Sequence, residues 1–219
     1  MDLVSGLIDF ILHLDAHLVE LLRQYGIWLY GIVFFIIFAE TGFVVTPWLP
    51  GDSLLFALGA LAAVDDSGTL SAPLLTGLLL LAAVLGNSVN YAIGRWLGQA
   101  VYAGHYRFIK VAYLRRTEEY FARYGAMTIV IARFIPIVRT FAPFVAGIGR
   151  MAYLRFQAFN LVGAAAWIGL LLWAGYFFGN VPLVKNNFGI VTLLIIVASL
   201  VPLAFVVLRR RSDAPVARD

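Results

Sequence analysis

Residues 27–52 read IWLYGIVFFIIFAETGFVVTPWLPGD, and this stretch decides the fold. Its first half, IWLYGIVFFIIFA over 27–39, is apolar enough to enter a bilayer but shorter than the ~20 residues a helix needs to cross one. It runs into Glu40, Thr41 and Gly42, and then into Pro47, Trp48, Leu49, Pro50, Gly51 and Asp52. Proline lacks the amide a helix needs and clashes with the preceding turn, so no helix continues through 47–50. Residues 53–64 are apolar again, and Asp65-Asp66-Ser67-Gly68 reads as a loop. Two half-length helices around a break predict a re-entrant hairpin over 27–63, entering and leaving the membrane by one face. Gly42, Pro47, Pro50 and Gly51 are its breaking motif.

The irregularity recurs over 126–149. A short apolar run meets Arg133-Phe134-Ile135-Pro136-Ile137-Val138-Arg139, and a second short run contains Pro143 and Gly147. Pro136 and Pro143 are expected to break this second hairpin. Residues 74–98, 157–179 and 189–208 read as full crossings. The first two end in small-xxx-small pairs, Gly94 with Gly98 and Gly175 with Gly179, which let helix backbones approach closely. Leu3, Leu7, Phe10, Leu14, Leu18 and Leu21 recur at helical spacing among charged residues, so 1–25 reads as an amphipathic N-terminal helix.

The expectation is an all-α polytopic membrane protein, a single membrane domain over 1–219. It is an inverted repeat of re-entrant helical hairpin plus transmembrane helix, with a polar cytoplasmic loop over 104–124. A C-terminal transmembrane helix and a tail over 209–219 complete it. Kinked full spans are the plainer alternative for the broken segments.

Composition agrees. Of 219 residues, 62% are apolar and only 13% charged, too few polar side chains to cover a soluble fold of this size. No short apolar leader with a small-residue cleavage site opens the chain, so no cleaved signal peptide is expected. A formal net charge of +4 could suggest nucleic acid, but the basic residues sit in short loops and at the end, where membrane topology explains them. Loop 104–124, Arg150, Arg155 and Arg209-Arg210-Arg211 fall on one side of the predicted membrane; 65–72 and 180–188 hold a single Lys185 and fall on the other. The positive-inside rule puts the basic side, and the C-terminus, in the cytoplasm.

Four ionisable residues stand at the breaks: Glu40, Asp52, Arg133 and Arg139. Each charge at bilayer depth costs at least ~2.5–3.5 kcal/mol, so the four should face inward, pair, or line a wet cavity. Buried salt bridges that dock the hairpins would satisfy that need. Yet such pairs are a poor route to stability, which favours a site. Arginine keeps its charge at depth and offers a rigid fork that matches phosphate oxygens, and broken helices add free N–H groups, so the pattern suits an anion. Desolvation and the neighbouring arginines act on Glu40 and Asp52 in opposite senses, the balance expected of a proton carrier. Asn87, Asn90 and Tyr91 read as interhelical hydrogen-bonders. His13 and His17 are one helical turn apart but lack further ligands, so neither a metal nor another cofactor is expected. No nucleophile–base pair or nucleotide loop suggests an enzyme or an ATP-driven pump.

Glu40-Thr41-Gly42, Pro47-x-x-Pro50-Gly51-Asp52-Ser53, Gly86…Tyr91-x-x-Gly94-Arg95…Gly98 and Arg133-Phe134-x-Pro136-x-x-Arg139-Thr140, in that order, resemble the DedA family of bacterial inner-membrane proteins. The acidic-plus-arginine quartet of the family falls on Glu40, Asp52, Arg133 and Arg139; Asn87 stands where relatives often carry an acid. The resemblance implies a multi-pass inner-membrane lipid transporter. Its cargo would be undecaprenyl phosphate or another anionic phospholipid, and its driving force a proton or sodium gradient. On that reading Arg133 and Arg139 bind the lipid phosphate, while Glu40 and Asp52 couple protons or gate the site. The rival expectations are a proton-dependent small-solute or drug antiporter and a non-transporting envelope-homeostasis factor. Oligomeric state stays open, a homo-oligomer included.

Overall fold

The structure is a computed structural model that describes residues 20, 24–43, 51–65, 68–102, 111–178 and 181–182. Most of the expected N-terminal helix, Pro47 and Pro50, the 189–208 crossing and the Arg209 cluster lie outside these residues. Among them, all regular structure is helical: α1 (Trp28–Gly42), α2 (Gly51–Val64), α3 (Ala72–Tyr102), α4 (Val111–Tyr124), a 3₁₀ turn (Gly125–Met127), α5 (Thr128–Ala132), α6 (Pro136–Ile148) and α7 (Tyr153–Phe178). Only α3 and α7 are long and apolar enough to cross a membrane. At 15 and 14 residues, α1 and α2 reach about 22 Å each, short of the ~30 Å hydrocarbon core.

Local chemistry sets the ends. α1 stops at Gly42 and Phe43 turns extended (φ −105°, ψ 127°). α6 begins with Pro136 in its first turn, where a missing amide costs nothing. Pro143, expected to break the second hairpin, instead lies inside a continuous α6. A proline there removes only the amide facing the Arg139 carbonyl, and the flanking Ala142 and Phe144 are buried by neighbours that hold the helix together. The segment expected as a polar loop over 104–124 is helical from Val111 to Tyr124. It has no glycine or proline there, it presents Arg115, Glu118, Glu119 and Arg123 outward, and it packs Tyr120 and Phe121 against the core.

Contact pairs fix the helix directions. Tyr30 Oη donates to Thr69 O and accepts from the Ser71 amide, while Gly42 lies against Gly86, so α1 and α3 run parallel. Tyr91 stacks near Tyr153, Ser88 meets Gln157 and Val84 O meets Asn160, so α3 and α7 are antiparallel. Asp52 touches Trp167 and Gly59 packs on Leu172, so α2 follows α7. Asn90 bonds Thr140 O and Gly94 packs on Phe144, so α6 follows α3. Each helix that begins after a break therefore packs on the long helix of the other half.

These crossings rest on reciprocal glycines, Gly59 with Gly175 and Gly94 with Gly147, each against partner backbone with no room for a Cβ. Backbone cannot swing aside as a side chain does. Gly59→Ala is expected to destabilise the protein by about 1–3 kcal/mol through overpacking, read as a lower thermal midpoint in detergent. Gly169→Ala, with nothing within 4 Å of its added Cβ, should leave the midpoint unchanged.

Among the described residues, two apolar clusters form most of the interior, and a smaller third gathers Phe141, Phe144 and Val145. One gathers α1, α2 and the facing thirds of α3 and α7 around Leu29, Ile37, Leu55, Leu79, Trp167 and Leu172. The other joins Tyr91, Ile129, Val138, Ala142 and Phe156. On α3 the change from one cluster to the other falls at Asn87 and Asn90; on α7 it falls at Asn160. The polar residues occupy that seam.

Candidate anion site at the helix breaks

The breaks meet at the seam. Gly86, beside the end of α1, lies about 21 Å along α3 from Ala72, well inside the span of the helix. Gly51 opens α2 so close to Glu40 that a Cβ would overlap the carboxylate, and only glycine permits the approach. On the other side, the chain turns at Arg133-Phe134-Ile135 and restarts as α6, so Arg133 precedes its N-terminus and Arg139 sits in its first turns.

Arg139 spans two carboxylates. Its Nη2 donates to Glu40 Oε1 and its Nη1 to Asp52 Oδ1, both at 2.7 Å. The Arg139 side chain is 10% exposed, against 3% for Glu40 and 17% for Asp52. The planar fork explains the geometry: one guanidinium serves two acceptors held by different helices. Asp52 also lies in the first turn of α2, where the helix dipole favours a negative charge.

Arg133 behaves differently. It is 2% exposed, its Nη2 donates to Asn160 Oδ1 at 2.7 Å, and its Nε and Nη1 have no hydrogen-bond partner. A buried cation with two idle donors is costly unless something else occupies them. The four ionised groups sum to zero formal charge: Glu40, Asp52 and Arg139 together carry one negative charge, and Arg133 balances it without a direct carboxylate contact. The structure thus brings Glu40, Asp52 and Arg139 into one network, and places Arg133 beside it, against the ring of Trp167.

Trp167 was not a candidate from sequence. Its indole N–H donates to Asp52 Oδ1 at 2.8 Å, and its ring lies under both guanidinium groups, 5.2 Å from Arg139 Cζ and 5.7 Å from Arg133 Cζ. Aromatic faces attract cations, so Trp167 keeps the two arginines near each other. Asn160 was also missed; it accepts from Asn87 Nδ2 at 2.9 Å as well as from Arg133. A signal existed for both: a tryptophan and an amide midway along a crossing helix need partners that lipid cannot supply. Asn87 and Asn90 do bond between helices, Asn90 Nδ2 reaching Thr41 O and Thr140 O at 3.3 and 2.9 Å. Asn90 thereby ties together the residues that follow Glu40 and Arg139. Gly42, Gly51 and Pro136 stand at helix ends as expected, and no group of metal-ligating side chains exists among the described residues.

The sequence matches the VTT domain family over residues 49–177. It is 47% identical over 215 residues to the protein DedA of Escherichia coli strain K12, covering 98% of each chain. It is 41% identical over 187 residues to the uncharacterized membrane protein Rv0364 of Mycobacterium tuberculosis, covering 84% of this chain and 82% of that one. To the inner membrane protein YqjA of E. coli strain K12 it is 37% identical over 155 residues, 70% of this chain and 69% of the relative. No solved structure matches it.

Proposed function

Because this chain belongs to the DedA family of VTT-domain membrane proteins, we propose that it carries an anionic lipid, such as undecaprenyl phosphate, across the bacterial inner membrane, coupled to a proton or sodium gradient. The observation that carries this reading is the buried Arg133, whose two idle donors adjoin the Glu40–Arg139–Asp52 network and whose charge brings the site to neutrality. A phosphate monoester or diester supplies the acceptors that Arg133 lacks. Its arrival adds negative charge to a site already balanced. A proton or sodium ion on Glu40 or Asp52 restores neutrality and releases one arm of Arg139 to the phosphate. Substrate and coupling ion then enter together for an electrostatic reason.

The architecture supports the same reading. Helices α1 and α2 form one half-length pair, α5 and α6 another, and the long helices that follow run antiparallel, as an inverted repeat of two re-entrant hairpins requires. In that arrangement the site lies where the halves meet, and motion of one half against the other exposes it to alternate sides. The multi-pass orientation follows from the basic loops. The chain has no cysteine, so single-cysteine variants report it cleanly. Gly68→Cys is expected to react with a membrane-impermeant maleimide in intact cells, and Arg115→Cys only after permeabilisation. External reaction at position 115 reverses the orientation.

Reconstitution tests the function. Liposomes containing the protein should change the leaflet exposure of a labelled anionic lipid, faster under an imposed ion gradient. A pH change without lipid movement identifies a small-solute antiporter. Neither signal leaves an envelope-homeostasis role in which the network is a scaffold.

A further inference from the structure

A groove of about 570 Å³ lies away from the helix breaks, between the later turns of α3 and the start of α7, lined by Ser88, Tyr91, Ala92, Arg95, Trp96 and Tyr153. Its rim is apolar and outward-facing, with Trp96 85% exposed, whereas its floor is polar. From that floor a continuous hydrogen-bond ladder runs inward. Gln157 Nε2 donates to Tyr153 Oη and to Ser88 Oγ, Asn160 Nδ2 donates to Gln157 Oε1 at 3.0 Å, and Asn160 Oδ1 accepts from Asn87 and from Arg133. The ladder thus starts at Tyr153 and Ser88 on the groove wall and ends at a buried arginine, while the exposed Arg95 lines the same groove and donates to Tyr91 Oη at 3.3 Å.

Two further features indicate what travels along it. No carboxylate lines the groove or stands in the ladder, so a cation would meet Arg95 at the mouth and Arg133 at the end with nothing to hold it. The inner end carries two unpartnered buried donors, Arg133 Nε and Nη1, on a residue only 2% exposed. Ordinary interhelical hydrogen bonding would be satisfied where it is deepest; this ladder is least satisfied there.

We propose that this groove is the port through which a lipid phosphate enters, Arg95 capturing the headgroup at the mouth and the Gln157–Asn160–Asn87 ladder leading it to Arg133. The inference rests on the anionic-lipid reading above and adds where the headgroup boards. The acyl or prenyl chains stay outside, against the exposed Leu85, Trp96 and Leu161. The carboxylates lie beyond Arg133 and Arg139, so phosphate and coupling ion approach the site from different directions.

The test uses the full chain in nanodiscs of phosphatidylglycerol or phosphatidylcholine, with photoreactive benzoylphenylalanine in place of Ala92. The expected result is preferential crosslinking to phosphatidylglycerol. Arg95→Gln should reduce it about tenfold or more, the worth of one charge-assisted contact. Arg155→Gln, which alters a cation outside the groove, should leave it intact. Equal capture of both lipids, or capture indifferent to Arg95→Gln, overturns the port. Loss of the signal to excess inorganic phosphate makes the ligand free phosphate and overturns the lipid assignment. Parallel liposomes separate the two readings. Lipid translocation unaffected by Arg95→Gln removes the port alone, whereas selective capture without translocation supports the port and removes the transport function.

Discussion

Arg133→Met should lower lipid translocation by about 10- to 100-fold while raising the thermal midpoint of the purified protein, the first by loss of charge-assisted contacts to phosphate. The opposite signs follow from what Arg133 touches. It is buried, it has no carboxylate contact, and two of its donor nitrogens are idle. Removing an uncompensated buried charge relieves a desolvation cost that no ion pair offsets. Methionine is unbranched and flexible enough to fill the space under Trp167, and Asn160 Oδ1 keeps the Asn87 donor. A residue that costs stability and persists for function is the mark of a binding site. Were Arg133 part of a scaffold, both quantities would fall together. A less stable protein with unimpaired translocation would therefore end the phosphate-site assignment.

The second large effect is expected at Arg139, and here the two readings part again. Arg139→Ala removes the cation bridging Glu40 and Asp52, leaving two carboxylates without their ion-pair partner in a buried seam. Breaking a buried pair costs about 3–5 kcal/mol, so both thermal stability and translocation should collapse. Arg139→Lys keeps the charge, but one ammonium cannot present the planar fork that spans two helices, and an intermediate loss is expected. The informative variant is the triple change Glu40→Gln, Asp52→Asn and Arg139→Gln. It leaves no charge in the bridge and near-matching shapes, so the thermal midpoint should recover most of what Arg139→Ala loses, with Arg133 remaining as a buried cation. Translocation should stay absent, because neither the ion carrier nor the released arginine arm remains. Full transport in the triple variant would mean that the network merely docks the hairpins.

Sequence reasoning reached the quartet because charge inside an apolar run is conspicuous. It left open which carboxylate meets which arginine, and it could not see that Glu40 and Asp52 share one guanidinium. Pairing of that kind depends on where Gly51 lets α2 start relative to the end of α1, a matter of one missing Cβ. Pro143 shows the converse. Its effect on a helix depends on whether neighbours hold the turn together, and packing decided for continuity.

The sequence by itself determined that this is an α-helical membrane protein of the DedA family, that helices end near Gly42 and restart at Pro136, and which four ionisable residues stand nearby. Hydropathy, proline geometry and the cost of charge in lipid act locally along the chain, so they can be read from it. Only the tertiary structure decided that Arg139 is shared, that Arg133 is left with idle donors, and that Trp167 and Asn160 complete the site. Those outcomes depend on helix pairs far apart in sequence meeting at glycine contacts, where tenths of an ångström between backbones set which side chains can reach one another.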